Sequence, residues 1–278
     1  MSSAARSFYA RLVTGMGDAP DPAILGAFEA VDRAAFVGPG PWKIYTAAGY
    51  IDTPNADEAF IYQDVLVGLA PERRINNGQP SLHARCLAAA NPRPGERVLH
   101  VGAGTGYYSA ILARLVGPEG HVDAYEIEPD LAATAAANLA GLAWVKLHAA
   151  SALEGALPVA DVIYVNAGAS HPPACWLDAL RPGGRLLFPL TAESGNGMMM
   201  LVTRTAEQAY AARVVCGAMF IPCIGARGED ESAALMQAMS KGGHMAVRSL
   251  QRTGQGAGEP DETAWLSGDG WWFSRRPA

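Results

Sequence analysis

From Glu96 onward, short apolar runs alternate with longer segments in which apolar residues recur every three or four positions. "RVLHVGAG", "HVDAYEIE", "AWVKLHAA", "DVIYVNAG" and "RLLFPL" are brief and rich in β-branched residues, which predicts strands. "GYYSAILARLVG", "PDLAATAAANLAGL" and "CWLDALRPGG" carry the spacing of helices. Such alternation predicts an α/β fold: a Rossmann-like, mostly parallel sheet with helices on both faces. Later, "GMMMLVTRTAEQAYAARVVCGAMFIPCIG" holds two consecutive strand candidates joined by a polar segment, which predicts an antiparallel C-terminal hairpin. The first forty residues read as helical, with Phe8, Leu12 and Val13, then Ile24, Phe28, Val31 and Phe36, at helical spacing. "VGPGPWKIYTAAGYIDTPNADE" has no clear period and reads as a long loop. "AFIYQDVLVGL" includes a strand, and "SLHARCLAAANP" is a helix stopped by Pro92. The tail "DETAWLSGDGWWFSRR" holds three of the six tryptophans and is expected to pack down. The expected organisation is a helical, substrate-side segment at 1–90, an α/β core at 91–224, and a C-terminal extension packed on that core at 225–278.

The turn after the first core strand carries the chemistry. "VLHVGAGTGYYSAIL" climbs into Gly102, Gly104 and Gly106 and continues as a helix. Glycines let a backbone turn tightly and approach a ligand closely, and the following helix N-terminus favours anionic or nucleotide-type groups. Dinucleotide-binding turns read G-x-G-x-x-G, whereas this one reads G-x-G-x-G. The compressed spacing resembles the first motif of S-adenosylmethionine-dependent methyltransferases. Glu126, ending "HVDAYE", stands where an acid can accept hydrogen bonds from both ribose hydroxyls, although an exposed charge at a strand end is the plainer alternative. Pro182-Gly183-Gly184, between a helix and a strand, resembles a late segment of methyltransferase sheets and is also a good turn anywhere. An NAD-dependent oxidoreductase would need the wider glycine spacing, which is absent.

"VDRAAFV", "AFIYQDVLV", "GQPSLHA", the glycine turn and "FIPCIG" occur in an order that resembles the protein-L-isoaspartate O-methyltransferase family. The resemblance covers roughly residues 24–224, apart from an extra stretch around Pro41 to Glu58. It implies S-adenosyl-L-methionine as cofactor, with Gly102, Ala103, Gly104, Thr105, Gly106, Tyr107, Glu126 and Ser151 on the cofactor side. Asn166 joins them by position, because open α/β sheets bind ligands at the carboxyl ends of strands. Gly78, Gln79, Pro80, Ser81 and His83 form the implied acceptor side. Three positions depart from the family pattern: Gly78 in place of serine, His100 in place of an acid, and Ser151 in place of aspartate. Ser81 and Asn77 are candidates to replace the missing hydroxyl at 78.

The implied reaction is O-methylation of a carboxylate on a peptide or small molecule, with genuine isoaspartyl repair as the alternative. A non-catalytic S-adenosylmethionine-binding protein is the alternative of another class. A carboxylate acceptor is ionised at neutral pH and needs no base. A hydroxyl or amine acceptor would need one, and His83 is then the candidate, against a plain helix-packing role. Tyr107 and Tyr108 read either as cofactor cover or as aromatic packing. The aromatic-rich loop and tail are candidates for a lid.

Composition narrows the partners. The net charge is −6, with no Lys/Arg cluster beyond short pairs, so no nucleic acid is expected. Cys86, Cys175, Cys216 and Cys223 are widely spaced, without zinc-finger spacing, and read as buried thiols. There is no signal-peptide pattern and no apolar run near the ~20 residues of a membrane span. A soluble cytoplasmic protein is expected.

Overall fold

The computed structural model describes residues 2–253 and 258–278. In chain order the first elements are α1 (Ser3–Met16), α2 (Pro22–Ala30), β1 (Lys43–Thr46), β2 (Gly49–Asp52), β3 (Gly68–Ala70), β4 (Ile75–Asn76), α3 (Pro80–Ala90), β5 (Arg97–Val101), α4 (Tyr107–Val116), β6 (His121–Tyr125), α5 (Pro129–Leu139) and β7 (Val145–His148). There follow β8 (Ala160–Val165), α6 (Ala174–Ala179), β9 (Leu180–Thr191), β10 (Asn196–Ala206), β11 (Ala209–Met219), α7 (Glu229–Ser240), β12 (Ser249–Arg252), β13 (Ala264–Gly268) and β14 (Trp271–Ser274). They form two compact units, one of Met1–Glu96 with Ala103–Ser151, the other of Arg97–Gly102 with Ala152–Ala278.

The first unit holds five helices, two short antiparallel pairs and the parallel pair β6–β7. Local chemistry sets the helix ends. Asp21 caps α2 by accepting from the Ala23 amide at 2.7 Å, with Pro22 in the first turn. Asn91, in the left-handed region at φ 47°, ends α3 one residue before Pro92. The stretch expected to be a loop contains a hairpin: β1 pairs with β2 from Lys43↔Asp52 to Thr46↔Gly49, with the Tyr45 and Tyr50 rings 5.2 Å apart. Four-residue strands that are exposed or half-exposed on both faces leave no alternation to detect.

The strand expected in "AFIYQDVLVGL" is confined to its end, β3. The residues before it give their carbonyls to a side chain. Arg33, with zero exposure, donates to the carbonyls of Ile61 and Gln63 at 2.8 Å each and of Val65 at 2.6 Å. It also donates to Asn77 Oδ1 and the Tyr9 hydroxyl, both at 3.2 Å. Its guanidinium lies over the rings of Tyr9 and Tyr107, with Phe28 edge-on to both and Phe36 tilted against Tyr107.

In the second unit the strand order is β13-β14-β12-β11-β10-β9-β8-β5. β5, β8 and β9 run parallel, and every later pairing is antiparallel. The predicted hairpin is the β10–β11 ladder. The sheet continues past it, because the segment after residue 224 supplies β12 and the tail supplies β14 and β13. Trp265, Trp271 and Trp272 are all buried. Among the described residues no helix is long and apolar enough to cross a membrane.

Replacing Arg33 with methionine removes the donor of the Ile61 and Val65 carbonyls, whereas Gln63 O keeps the Val65 amide and Asn77 Oδ1 the Val67 amide. An unsatisfied buried group costs about 1–3 kcal/mol, so Arg33→Met should lower unfolding free energy by at least about 2 kcal/mol. Urea unfolding followed by circular dichroism measures it, and a loss below about 1 kcal/mol would contradict the role given to Arg33.

Candidate functional site

The glycine turn follows β5 directly. Gly102, Gly104 and Gly106 have φ of 76°, 57° and 96°, a region in which a side chain is strained. The turn is pinned by the Ala103 amide on Tyr125 O at 3.0 Å and the Gly106 amide on Ala103 O at 2.9 Å. Its central contact is to Glu126, just beyond β6. The Gly104 amide donates to Glu126 Oε2 at 2.6 Å, and the Glu128 amide donates to Oε1 at 3.0 Å. Glu126 is 6% exposed; burial pushes its carboxyl pKa up, and these amide bonds pull it back. The Ile127 amide also bonds the carboxylate, which among its roughly four lone-pair sites keeps capacity to accept a further hydrogen.

Thr105 is tied into the same unit, donating to Phe36 O at 2.5 Å and accepting from Asn138 Nδ2 at 2.9 Å through its carbonyl. The Tyr107 side chain is turned into the aromatic cluster, its hydroxyl 3.2 Å from that of Tyr9, so its main-chain amide is what it can offer a ligand. Burial pushes the phenol of Tyr107 well above its ordinary value. Ser151 lies beyond β7 and is half-buried.

In the other unit, the end of β5 meets the end of β8. The Asn166 amide donates to Val101 O at 2.8 Å. A Cβ on Gly102 would stand 3.4 Å from the Asn166 carbonyl carbon, an ordinary contact, so the φ of 76° rather than lack of room calls for glycine. Asn166 Nδ2 lies 2.8 Å from Nε2 of His100, a fully buried imidazole that desolvation pushes down to about 3 and therefore keeps neutral. The ring accepts from the amide, and Asn166 Oδ1 is left buried with no hydrogen-bond partner. An orphaned buried acceptor costs free energy until a donor reaches it. The acid expected before the glycine turn is thus replaced by an uncharged histidine–asparagine pair.

On the acceptor side the organising residue is one that sequence reasoning missed, Asp64. Its carboxylate accepts from the Ser81 amide at 2.8 Å, the Ser81 hydroxyl at 2.6 Å and Gln79 Nε2 at 2.8 Å. It caps the first turn of α3, which begins with Pro80. The signal was present as an acid inside the apolar "FIYQDVLV". The Ser81 hydroxyl serves Asp64, and Asn77 Oδ1 accepts from Arg33 and from the Val67 amide, while Asn77 Nδ2 is buried with no hydrogen-bond partner. Gly78 is half-buried at φ 72°, and the His83 ring beneath it stacks on Tyr108 with centroids 3.6 Å apart.

With this geometry the comparisons are consistent. The model of the protein-L-isoaspartate(D-aspartate) O-methyltransferase family matches residues 15–228. A protein-L-isoaspartate O-methyltransferase of Methanopyrus kandleri is 36% identical over 166 residues, covering 56% of this chain and 73% of its own. One from Rhodopseudomonas palustris is 30% identical over 210 residues, 75% of this chain and 78% of its own. A solved protein-L-isoaspartate O-methyltransferase superposes with a TM-score of 0.67 at 20% identity over 97% of this chain and 87% of its own. A Plasmodium falciparum protein described as a beta-aspartate methyltransferase, solved with S-adenosyl-L-homocysteine, gives 0.63 at 18% identity over 78% of this chain and 97% of its own. These likenesses bear out the α/β methyltransferase fold.

His100 makes a stability prediction. Its ordinary value is 6.5 and its folded value about 3, so between those limits the unfolded chain takes up a proton that the folded chain does not. Stability from this residue is present above pH 6.5 and falls as pH drops, by up to about 1.4 kcal/mol per pH unit. In urea titrations at several pH values, the stability gap between wild type and His100→Gln should narrow as pH falls from 6.5 toward 4. A gap independent of pH would contradict the neutral imidazole.

Proposed function

The chain belongs to the protein-L-isoaspartate(D-aspartate) O-methyltransferase family, and from that premise we propose that its acceptor is a peptide carboxylate, an isoaspartyl side chain in particular. It is an S-adenosylmethionine-dependent methyltransferase. The observation that carries the cofactor reading is Glu126, buried and held by backbone amides with acceptor capacity to spare beside a glycine turn, while the acceptor reading is supported by the family.

The residues fit the cofactor on their own terms. Glu126 would accept the ribose hydroxyls, and the main chain of Ala103 to Tyr107 would lie against the ligand where side chains are excluded. Ser151 would accept from the adenine amino group. Asn166 Oδ1, an acceptor lacking a donor, suits the ammonium at the methionine end. When bound, S-adenosylmethionine supplies a methyl group on a sulfonium whose leaving group is a neutral thioether.

What the chain must do for a carboxylate acceptor is position it and exclude water. The acceptor is ionised at neutral pH, so no proton has to be removed. Alignment of this kind is worth on the order of 7–11 kcal/mol. The acceptor side would be the segment Gly78 to His83, fixed from behind by Asp64 and, through Asn77, by Arg33.

The direct test is transfer of labelled methyl to an isoaspartyl peptide with the aspartyl peptide as control. Base-labile label on the isoaspartyl peptide alone is expected, and equal or absent labelling of both would reject the acceptor. Two binding measurements test the cofactor residues. Glu126→Gln should weaken S-adenosylhomocysteine at least about tenfold, since a bond to a charged acceptor is worth about 1.5–3 kcal/mol. Asn166→Ala should weaken S-adenosylhomocysteine but not methylthioadenosine, which lacks the amino-acid end. Equal weakening of both ligands would remove the ammonium role from Asn166.

A further inference from the structure

Arg227, just before α7, is a half-buried cation that no carboxylate among the described residues pairs with. Its Nε donates to Gly168 O at 3.0 Å, and its Nη2 donates to Phe220 O at 3.2 Å and to Thr191 Oγ1. Nη1 donates to nothing among the described residues and is open to solvent. Glu229, Asp230 and Glu231 follow at once, yet they sit in the first turn of α7, where the helix amides favour them. Burial pulls the Arg227 pKa below its ordinary value, opposed only by the Cys223 thiol. A charge withdrawn from water without a counter-ion loses hydration and gains no Coulomb attraction in return.

The guanidinium is fixed by space as well as by bonds. A Cβ on Gly168 would overlap both Arg227 Nη2 and Thr191 Oγ1, so only glycine leaves room for the fork. Gly168 is itself a junction: its amide donates to Ile221 O and its carbonyl accepts from the Cys223 amide, each at 2.8 Å. It lies two residues beyond Asn166, in the loop after β8. β11, which leads into Phe220, runs parallel to β9 because two antiparallel ladders separate them, and β9 is parallel to β8. Arg227 therefore ties together the carboxyl ends of β8, β9 and β11, the end at which open α/β sheets take their ligands.

We propose that Arg227 is the carboxylate-binding residue of this site, with Nη1 receiving a carboxylate from the amino-acid end of the cofactor or from the methyl acceptor. Both ligands carry the anion that the fold withholds from this guanidinium. A planar, always-charged fork held on one side suits a carboxylate arriving on the other. The inference rests on the methyltransferase reading, and on the isoaspartyl reading only where the acceptor is the source.

Calorimetry on two matched ligand pairs tests it. One pair is S-adenosylhomocysteine and its decarboxylated analogue, which keeps the amine. The other is an isoaspartyl peptide and its isoasparaginyl counterpart, each added to enzyme saturated with S-adenosylhomocysteine. Wild type should prefer the carboxylate member of one pair by about tenfold or more, and which pair shows it identifies the source. Arg227→Gln should abolish that preference, and Arg227→Lys, which keeps the charge without the fork, should retain part of it. Each variant is read as a difference between two ligands, so a displaced loop that weakens both members cancels. A preference that survives Arg227→Gln, or none in either pair with wild type, would overturn the assignment. If wild type binds no isoaspartyl peptide, the proposed acceptor fails, and the cofactor pair alone decides the role of Arg227.

Discussion

A guanidinium withdrawn from water, its two terminal nitrogens donating to main-chain and side-chain oxygens, is the constraint on which the chain from Ile61 to Gly78 depends. Arg33 keeps its charge at any physiological pH and presents donors in a rigid fork. Segment 61–67 meets strands only at its end, where Leu66 O accepts from the Tyr45 amide and Val67 O from the Asn77 amide, so the Ile61 and Val65 carbonyls depend on that fork. The fork orders the run of chain leading to Asn77, and Asn77 in turn delivers Gly78 with its left-handed backbone. The tyrosine hydroxyl and the ring faces around Arg33 reduce what desolvation costs. Lysine, with a compact ammonium, could not serve the same spread of acceptors.

Charge is handled differently on the cofactor side. One carboxylate, Glu126, is retained and held by amides, while the position before the glycine turn carries a neutral imidazole paired with an amide. A second buried anion beside the turn would attract a cationic ligand end by Coulomb force. The amide oxygen of Asn166 is a weaker and more directional acceptor than a carboxylate.

Sequence legibility followed the range of each interaction. The glycine turn and Glu126 were readable because glycine at a positive φ and an acid after a strand are local requirements. The helix over 80–90 and the β10–β11 ladder were readable from periodicity. Arg33 was not, since an arginine after an aspartate reads as surface until its partners, some thirty residues on, are placed. Asp64 was hidden for the same reason: its partners Gln79 and Ser81 lie across a turn. The β1–β2 hairpin escaped because strands that short, wet on both faces, carry no alternation. The tryptophans of the tail announced packing, but that the segment after residue 224 forms three more sheet strands depends on pairing with a strand far back in the chain. The departures at Gly78 and His100 were visible as substitutions, whereas the pairing of His100 with Asn166 and the closeness of His83 to Gly78 depend on the folded chain.

The order in which the units are threaded has its own consequence. β5 is flanked in sequence by segments of the first unit but hydrogen-bonds to β8 in the second, Val98 against Val162. During synthesis on a ribosome, β5 emerges early and must wait, apolar and unpaired on that edge, until β8 has left the exit tunnel. Closing so long a loop is slow relative to local helix formation. The interval exposes an aggregation-prone strand, so yield from expression should depend on chaperone supply and translation speed more than the folded state's stability suggests.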